Sequence, residues 1–301
     1  MHPCGELFID LSAVLWYIKD RKQCSEVMAE MESEETLQSE LTREEKHLRS
    51  LDRMCLMDDP VFSEALNDKT ESVQYILNVI LERSDFTVIR AHTQVTHSSA
   101  LRRSVRFDIE AQTDSGQIMD IEVQRHAEGT EAKRARFYSG KIDQDLLNKG
   151  DDYDELKETW VIFIMGRDPY DAGFPMYHID RTIKELNGVD YGDKAHIIYV
   201  NGEFRDISHP VGRLMHDFHC TKADDVINPL LAEDLRNLKE TEGGRRYMSG
   251  IMQQLCDEAV YNDRIKIARE LLAKGMSTEV IAEVTELPLT TVRELAGVKS
   301  A

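Results

Sequence analysis

The feature that most constrains this chain is a predicted β-hairpin whose two strands alternate between apolar and polar residues. The strands are the segments VRFDIEAQ and QIMDIEVQR, which flank the turn sequence TDSG. Because the side chains of a strand point alternately to opposite faces, this hairpin is predicted to have one apolar and one polar face. The apolar face comprises Val105, Phe107, Ile109, Ala111, Met119, Ile121 and Val123. The polar face comprises Arg106, Asp108, Glu110, Gln112, Asp120, Glu122 and Gln124, and Ile118 interrupts it.

The turn between the strands sets which residues face each other. A three-residue loop that ends with Gly116 in the left-handed conformation pairs Asp108 with Glu122. The same register pairs Phe107 with Val123. Side chains opposed in this way lie about 4.5–5.5 Å apart, and two carboxylates at that separation repel unless a cation lies between them. Since Mg²⁺ accepts oxygen ligands, the hairpin predicts a Mg²⁺ site; a polar face that is simply solvated is the open alternative.

A series of short segments follows the same order along the chain as in a known family of proteins. The segments are LMDDPVFSEAL, ESVQYILNVIL, VRFDIEA, DIEVQR, KRARFYSG, KGDDYDELKETWVIFI, HIIYVNG, GRLMHDFHC and KETEGG. By their joint order and spacing, residues 51–261 resemble the Rpn-type recombination-promoting nuclease and transposase family, a bacterial branch of the PD-(D/E)XK nuclease superfamily. The resemblance implies an α/β fold, with a restriction-endonuclease-like mixed sheet flanked by helices. It also implies an endonuclease that hydrolyses phosphodiester bonds of DNA and uses Mg²⁺ or Mn²⁺.

The resemblance further implies which residues form the catalytic site. Asp108 matches the motif aspartate, Glu122 the second acidic position, and Gln124 the place where the superfamily most often has lysine. Asp108 and Glu122 would hold the metal, and Glu71 resembles the acidic residue that a preceding helix contributes. A glutamate at a helix start is also favoured by the helix dipole, which is an alternative reason for Glu71. Further candidates lie near it in the sequence: Asp58, Asp59 and Asp68.

The glutamine at position 124 departs from the parent motif. A lysine there stabilises the attacking water or the charge that develops on the phosphate, whereas a carboxamide only donates and accepts hydrogen bonds. Gln124 is therefore expected to orient the water. A replacement cation is expected from the helix predicted over residues 131–147, whose candidates are Lys133, Arg134, Arg136 and Lys141. Without such a replacement the chain would bind metal and DNA but cut slowly.

The helix predicted over residues 131–147 also carries the candidate DNA-binding residues. These are Arg134, Arg136, Tyr138 and Lys141. Arg134, Tyr138 and Lys141 recur at three- and four-residue spacing and therefore share one face with Asp145. A face that contacts phosphate and a solvated charged face explain this pattern equally well.

The distribution of charge limits how the chain could bind DNA. The net charge is −19, which argues against a protein that coats nucleic acid, because such binding neutralises phosphates. Residues 90–149 hold 10 basic and 9 acidic residues, a balance of +1, so the rest of the chain carries −20. We therefore expect the DNA affinity of this site to depend strongly on a divalent cation.

The cysteines and the apolar segments indicate a cytoplasmic protein. The 5 cysteines are odd in number, scattered and without a CxxC pair, as expected in a reducing cytosol. The segment HDFHC has the spacing of metal ligands, but without a fourth partner it is interpreted as a helix end that packs on the core. No apolar run is long enough to span a membrane, and no membrane partner is expected.

The chain is predicted to comprise three regions. Residues 1–50 form an acidic extension, either a charged amphipathic helix or a disordered arm. Residues 51–225 form the nuclease core, with helices at 71–82 and 131–147, strands at 86–95, 160–165, 175–179 and 196–200, and the hairpin at 104–125. Residues 226–301 are a helical extension, with a break at Gly243 and Gly244, and with Gly275 capping the helix that ends near residue 274.

The last residues suggest a second function. The segment MSTEVIAEVTELPLTTVREL predicts two short helices, the second capped by Thr290, in a helix-turn-helix-like tail. Its charge from residue 277 to residue 296 is −3, the wrong sign for a helix that reads the major groove. Packing or formation of a homo-oligomer is an open role for this tail. A catalytically silent DNA-binding or interaction protein ranks below the nuclease, and a helix-turn-helix regulator ranks last.

Overall fold

The computed structural model describes residues 42–99, 102–125 and 131–297. The chain divides into two units, Met1–Lys46 and His47–Ala301. The helices are α1 (Arg43–Arg53), α2 (Asp59–Leu66), α3 (Thr70–Ile80), α4 (Glu131–Leu146), α5 (Pro210–His219), α6 (Pro229–Lys239), α7 (Glu242–Ala273), α8 (Thr278–Thr285) and α9 (Leu289–Leu295). The strands are β1 (Val88–Ser99), β2 (Arg102–Thr113), β3 (Ile118–Gln124), β4 (Thr159–Met165), β5 (Met176–Ile179), β6 (Thr182–Ile183), β7 (Val189–Asp190) and β8 (Ala195–Asn201).

The main sheet is mixed and has six strands in the order β1, β2, β3, β4, β8, β5. The central strands β3, β4 and β8 run parallel, whereas β1, β2 and β5 pair antiparallel with their neighbours. The α/β fold with a mixed sheet flanked by helices is therefore confirmed. Strand β4 is buried along its whole length, as its continuous apolar sequence TWVIFIM predicts. Strand β5 lies at the edge, where Pro175 directly before it breaks no ladder bond between central strands.

Helices cover the sheet on both faces but unequally. On the first face, one large apolar cluster joins Phe62 of α2, Ile76 of α3 and Phe218 of α5 to β3 and β4. On the second face, a smaller cluster takes its helical members from α4 and its strand members from β2, β3, β4 and β8. Side chains of β4 alternate between these clusters, which is the period expected of a strand buried on both sides.

The turn of the hairpin has the predicted conformation. Gly116 lies in the left-handed region with φ 81°. Backbone hydrogen bonds of 3.0 Å close the loop, from Thr113 N–H to the Gln117 carbonyl and from Gly116 N–H to the Thr113 carbonyl. The ladder that follows pairs Ile109 with Ile121. This register is the predicted one, and it brings Asp108 level with Glu122.

The strict alternation fails at one residue of the hairpin. Phe107 lies in the cluster of the second face, whereas Ile109 and Val123 lie in the cluster of the first face. The ladder between β2 and β3 ends at Ile109, and the Val123 N–H beyond it donates to the Asp108 carboxylate at 3.0 Å. The expected contact between Phe107 and Val123 is therefore wrong, because the strands separate where the Asp108 carboxylate lies between them.

The helices after the sheet complete the core of the first face. Leu231 and Leu235 of α6 and Met248 of α7 belong to the same large cluster as Phe62. The predicted division between residues 225 and 226 stays a prediction, and this cluster draws on both sides of it. Of the predicted extension 1–50, residues 1–41 lie outside the described part of the chain, and the helix α1 includes the rest from residue 43.

The break predicted at Gly243 and Gly244 lies slightly earlier. Helix α6 ends at Lys239, and Thr241 caps α7 by accepting a hydrogen bond from Gly244 N–H at 3.0 Å. A Cβ on Gly244 would lie 2.1 Å from the Asn237 carbonyl oxygen. The glycine therefore serves close approach of the two helices and lies within the first turn of α7.

The tail forms the two predicted short helices, α8 and α9. Pro288 is the residue before α9, so the helix begins earlier than the predicted cap Thr290. Ile281, Leu287 and Val292 pack with Ala268 of α7, and Gly275 with φ 80° follows the end of α7 as predicted. Within the part of the chain that the structure describes, no helix is both long and apolar enough to cross a membrane.

Candidate active site

The hairpin brings Asp108 and Glu122 together. Asp108 N–H donates to Glu122 Oε1 at 3.0 Å, and Val123 N–H donates to Asp108 Oδ2 at 3.0 Å. Each carboxylate is thus held by the backbone of the other strand. Among the described residues, no donor contacts Asp108 Oδ1, so this oxygen keeps its lone pairs for a ligand.

Burial and the charges of neighbouring carboxylates raise the pKa of both acids. Burial raises the pKa of Asp108 to about 8, and the nearby charges of Glu122 and Asp59 act in the same direction. Burial also raises the pKa of Glu122 to about 7, although the guanidinium of Arg134 opposes this rise. Two neighbouring carboxyl groups with raised pKa values are typical of a site that binds a cation, because a nearby positive charge favours their ionised forms.

A third acid of the hairpin, Asp120, lies on the same face two residues before Glu122. Its side chain is 0% exposed, and neither carboxylate oxygen has a hydrogen-bond partner among the described residues. Burial raises its pKa well above the usual range, and the charges of Glu122 and Asp108 add to the rise. The polar face is therefore not solvated at Asp120 and Glu122, which are both buried. The alternation placed Asp120 on this face, but nothing in the pattern indicated that it would be buried.

Arg134 of α4 provides the cation beside this pair. Its guanidinium binds Glu122 Oε2, and its Nε donates to the Tyr138 hydroxyl at 3.0 Å. The guanidinium carbon also lies 5.0 Å from the centre of the Tyr138 ring and 5.5 Å from that of Phe163. Of the four candidates on this helix, Arg134 is thus the one that the fold brings to Glu122.

The other candidate DNA-binding residues are divided between the two sides of α4. The Tyr138 ring packs 5.3 Å from that of Phe107, and Lys141 is buried with its ammonium 2.7 Å from Asp145. Arg136 is exposed. The face expected either to contact phosphate or to be solvated is therefore packed on the sheet, because this face also carries the apolar residues that cover the second cluster.

Gln124 lies at the end of β3, next to the acidic pair. Its side-chain Oε1 is buried and has no hydrogen-bond partner among the described residues. Its backbone carbonyl accepts a hydrogen bond of 2.7 Å from Gly166 N–H. The backbone is therefore fixed, while the carboxamide oxygen is available to accept a hydrogen bond.

Asp59, and not Glu71, is the helix residue that faces the pair. Glu71 is exposed and lines a cavity between α3 and α6 together with Lys69 and Asp234. Asp59 begins α2, and its charge acts on both Asp108 and Glu122. Its Oδ1 accepts hydrogen bonds from the Ser63 hydroxyl at 3.0 Å and from the Gln94 amide at 3.1 Å. The choice of Glu71 is corrected on this geometry, because its exposed side chain lies beside Lys69 and Asp234, whereas the charge of Asp59 acts on the pair.

The segment HDFHC ends α5 and packs on the core. Ligand atoms of His216, Asp217 and Cys220 lie within 4.8 Å of one another. The Asp217 carboxylate, however, accepts hydrogen bonds from Ile227 N–H at 2.7 Å and Asn228 N–H at 2.9 Å. Burial raises the pKa of the Cys220 thiol to about 11. These contacts fit the structural interpretation, in which Asp217 anchors the loop that leads to α6.

Residues 60–204 match the family described as PD-(D/E)XK nuclease family transposase. This match supports the PD-(D/E)XK transposase-like family for this region. The match contains Asp108, Glu122 and Gln124 and begins one residue after Asp59. No curated protein and no solved structure matches the chain significantly. PD-(D/E)XK nucleases generally use divalent metal ions, and the oxygen-only donor set of this site fits such an ion.

The stability of the metal-free protein should fall as the pH rises from about 5 to about 8. The folded pKa values of Asp108 and Glu122, about 8 and about 7, exceed those of unfolded carboxyls. The folded state therefore binds more protons than the unfolded state in this window, so stability is lost as the groups ionise. Thermal unfolding in EDTA at both pH values would measure the change. An equal fall in wild type and Asp108→Asn would contradict this origin.

Proposed function

We propose that this nuclease-family protein is a divalent-metal-dependent DNA endonuclease that hydrolyses phosphodiester bonds in recombination or in the movement of mobile elements. The observation that carries the proposal is the pair of buried carboxylates, Asp108 and Glu122, where β2 and β3 separate. Their raised pKa values and the free Asp108 oxygen support a site for a cation. Membership of a PD-(D/E)XK family supports a nuclease with DNA as its substrate.

Three carboxylates would hold the metal. Asp108, Glu122 and Asp59 supply oxygen ligands of the kind that Mg²⁺ or Mn²⁺ binds. When bound, such an ion supplies charge neutralisation at the phosphate and lowers the pKa of a coordinated water. Arg134 contacts the same Glu122 carboxylate and is therefore an internal competitor of the metal. Its release on metal binding would free a guanidinium for the phosphate.

Gln124 and Arg134 together would replace the lysine of the parent motif. The Gln124 Oε1 atom would accept a hydrogen bond from the attacking water and so orient the lone pair of that water. The Arg134 guanidinium carries the positive charge that the carboxamide lacks and offers a planar fork of donors to phosphate oxygens. The two tasks of one lysine are thus divided between the end of β3 and the first turns of α4.

A plasmid-nicking assay with Mg²⁺, Mn²⁺, Ca²⁺ and EDTA tests this function. We expect nicking with Mg²⁺ and Mn²⁺ and none with EDTA. Ca²⁺ binds oxygen ligands with longer bonds and looser geometry, so it should support less cleavage. Binding of DNA without nicking under every condition would contradict the endonuclease. That result would favour the silent DNA-binding or interaction protein, for which Gln124 in the lysine position is the supporting observation.

Gln124→Lys should nick at least as fast as wild type. The substitution restores a cation next to a site that is rich in carboxylates, so it adds the charge that the parent motif carries. The control is Gln124→Glu, which adds a further negative charge and should slow nicking. A loss of more than about a hundredfold in Gln124→Lys, about 2.7 kcal/mol in the barrier, would instead mean that the carboxamide itself is required.

A further inference from the structure

The loop of residues 166–175, between β4 and β5, begins against the strand that carries the site. Gly166 N–H donates to the Gln124 carbonyl at 2.7 Å. A Cβ on Gly166 would lie 2.1 Å from the Arg125 carbonyl oxygen, so only glycine permits this approach. The loop is therefore joined directly to the end of β3, where the candidate catalytic residues lie.

Asp168 holds this loop in one conformation. Its carboxylate accepts hydrogen bonds from Tyr170 N–H at 3.0 Å, from Gly173 N–H at 2.7 Å and from the Tyr177 hydroxyl at 2.6 Å. The side-chain amide of Asn201 donates to the Phe174 carbonyl at 3.0 Å. Side chains presented by this loop are consequently ordered before any ligand binds, which lowers the entropic cost of binding.

The loop presents two aromatic rings to solvent. Tyr170 is 53% exposed and Phe174 is 60% exposed. Both rings contact Tyr177 at steep angles, with centroid distances of 4.8 Å for Tyr170 and 6.1 Å for Phe174. Tyr177 thus packs against both rings.

A chain of aromatic contacts connects these rings to the acidic pair. Tyr170 lies 6.1 Å from Tyr199, and Tyr199 stacks on Phe163 at 5.6 Å. Phe163 lies 5.5 Å from the guanidinium of Arg134, which binds Glu122. The exposed rings are therefore the outer end of the packed cluster that borders the candidate site.

We propose that Tyr170 and Phe174 form a stacking platform for unpaired bases of the DNA strand bound at the site. This proposal rests on the proposed nuclease function. Tyr170 is four residues from Gly166, so it lies within about 14 Å of it at up to 3.6 Å per residue. That distance corresponds to about four nucleotides at a rise of 3.4 Å. The platform would contact bases within about four nucleotides of the phosphate bound at the end of β3.

Three arguments favour bases over a protein partner. Stacking on aromatic rings does not depend on charge, and it supplies affinity where a chain of net charge −19 attracts phosphates poorly. Arg167, at the start of the loop, is exposed and forms no ion pair among the described residues, so it suits an adjacent phosphate. The surface area of two separate rings is also small compared with the roughly 800 Å² that a stable protein interface buries on each partner.

The test is binding of a single-stranded oligonucleotide that contains 2-aminopurine, whose fluorescence is quenched when the base stacks. The full chain is titrated in a Ca²⁺ buffer, which limits cleavage. We expect Tyr170→Ala and Phe174→Ala each to weaken binding about tenfold and to reduce quenching. Tyr170→Phe keeps the ring and should bind like wild type. The control is Tyr153→Ala, because Tyr153 is 83% exposed but precedes the opposite end of β4.

The salt dependence separates stacking from charge. The slope in question is that of the logarithm of the binding constant against the logarithm of the salt concentration. Tyr170→Ala should leave this slope unchanged. Arg167→Met should reduce its magnitude by about 0.7 without altering the quenching. Wild-type affinity and quenching in both ring variants would overturn the platform. If the wild type still nicks plasmid DNA in that case, the proposed nuclease stands. If the wild type binds and quenches but never nicks DNA, the proposed nuclease function is contradicted, whereas the stacking platform is not.

Discussion

Asp108→Asn is expected to reduce metal-dependent nicking by at least about a thousandfold, about 4 kcal/mol in the barrier. The substitution removes a charged oxygen ligand from the candidate metal site. It retains an oxygen that accepts the hydrogen bond from Val123 N–H, so the separation of β2 and β3 should be preserved. Since burial and neighbouring acids already oppose ionisation of Asp108, stability in EDTA near pH 8 should hold or rise. The measurements are nicking rate and urea unfolding.

A matched control for this variant is Asp114→Asn. Asp114 lies in the turn of the same hairpin, is exposed, and contacts Thr87 N–H at 3.4 Å. We expect this variant to nick like wild type, because the same change of charge occurs away from the pair. Full nicking by a pure preparation of Asp108→Asn would remove Asp108 from the site.

Arg134→Met should destabilise the metal-free protein by about 2 kcal/mol near pH 8. Removing one partner of a buried ion pair leaves an uncompensated charge on Glu122, which typically costs about 3–5 kcal/mol. The smaller value allows for solvent at the Arg134 side chain, which is 34% exposed. Urea unfolding in EDTA measures the loss. The matched control is Arg136→Met, at an exposed position of the same helix, which should change stability by less than about 0.5 kcal/mol.

The cause of this loss can be separated by a second substitution and by pH. Adding Glu122→Gln to Arg134→Met removes the orphaned charge, so most of the lost stability should return. The loss should also shrink near pH 5, because the pKa of Glu122 is about 7 in the intact site and the acid is then neutral. A loss of equal size at both pH values, not recovered in the double variant, would show that packing of the arginine stem is responsible.

Local sequence signals predicted the strands of the main sheet and the hairpin register that brings Asp108 level with Glu122. The alternation of the hairpin and Gly116 in its turn led to the register that brings Asp108 level with Glu122. The apolar runs at 160–165 and 196–200 predicted β4 and β8. These predictions succeeded because strand period and turn conformation depend on residues within a few positions of each other.

Other features of the site depend on contacts between distant segments. The sequence offered several acidic residues before the hairpin, and only the packing of α2 selects Asp59 over Glu71 as the neighbour of the pair. The orientation of α4 was likewise undetermined, since its charged residues fitted a solvated face as well as an inward one. Packing against the second cluster turns Arg134 towards Glu122.

The sequence by itself therefore determined which residues alternate along each strand and which acids oppose each other across the turn. Only the tertiary structure decided that Asp120 and Glu122 are buried, that Phe107 packs on the second face, and that Arg134 binds Glu122. The physical reason is the sequence separation of the residues involved. Backbone conformation is set by residues that are close in the sequence. Burial, and with it the pKa of a carboxylate, is set by whichever helix the whole fold places above it.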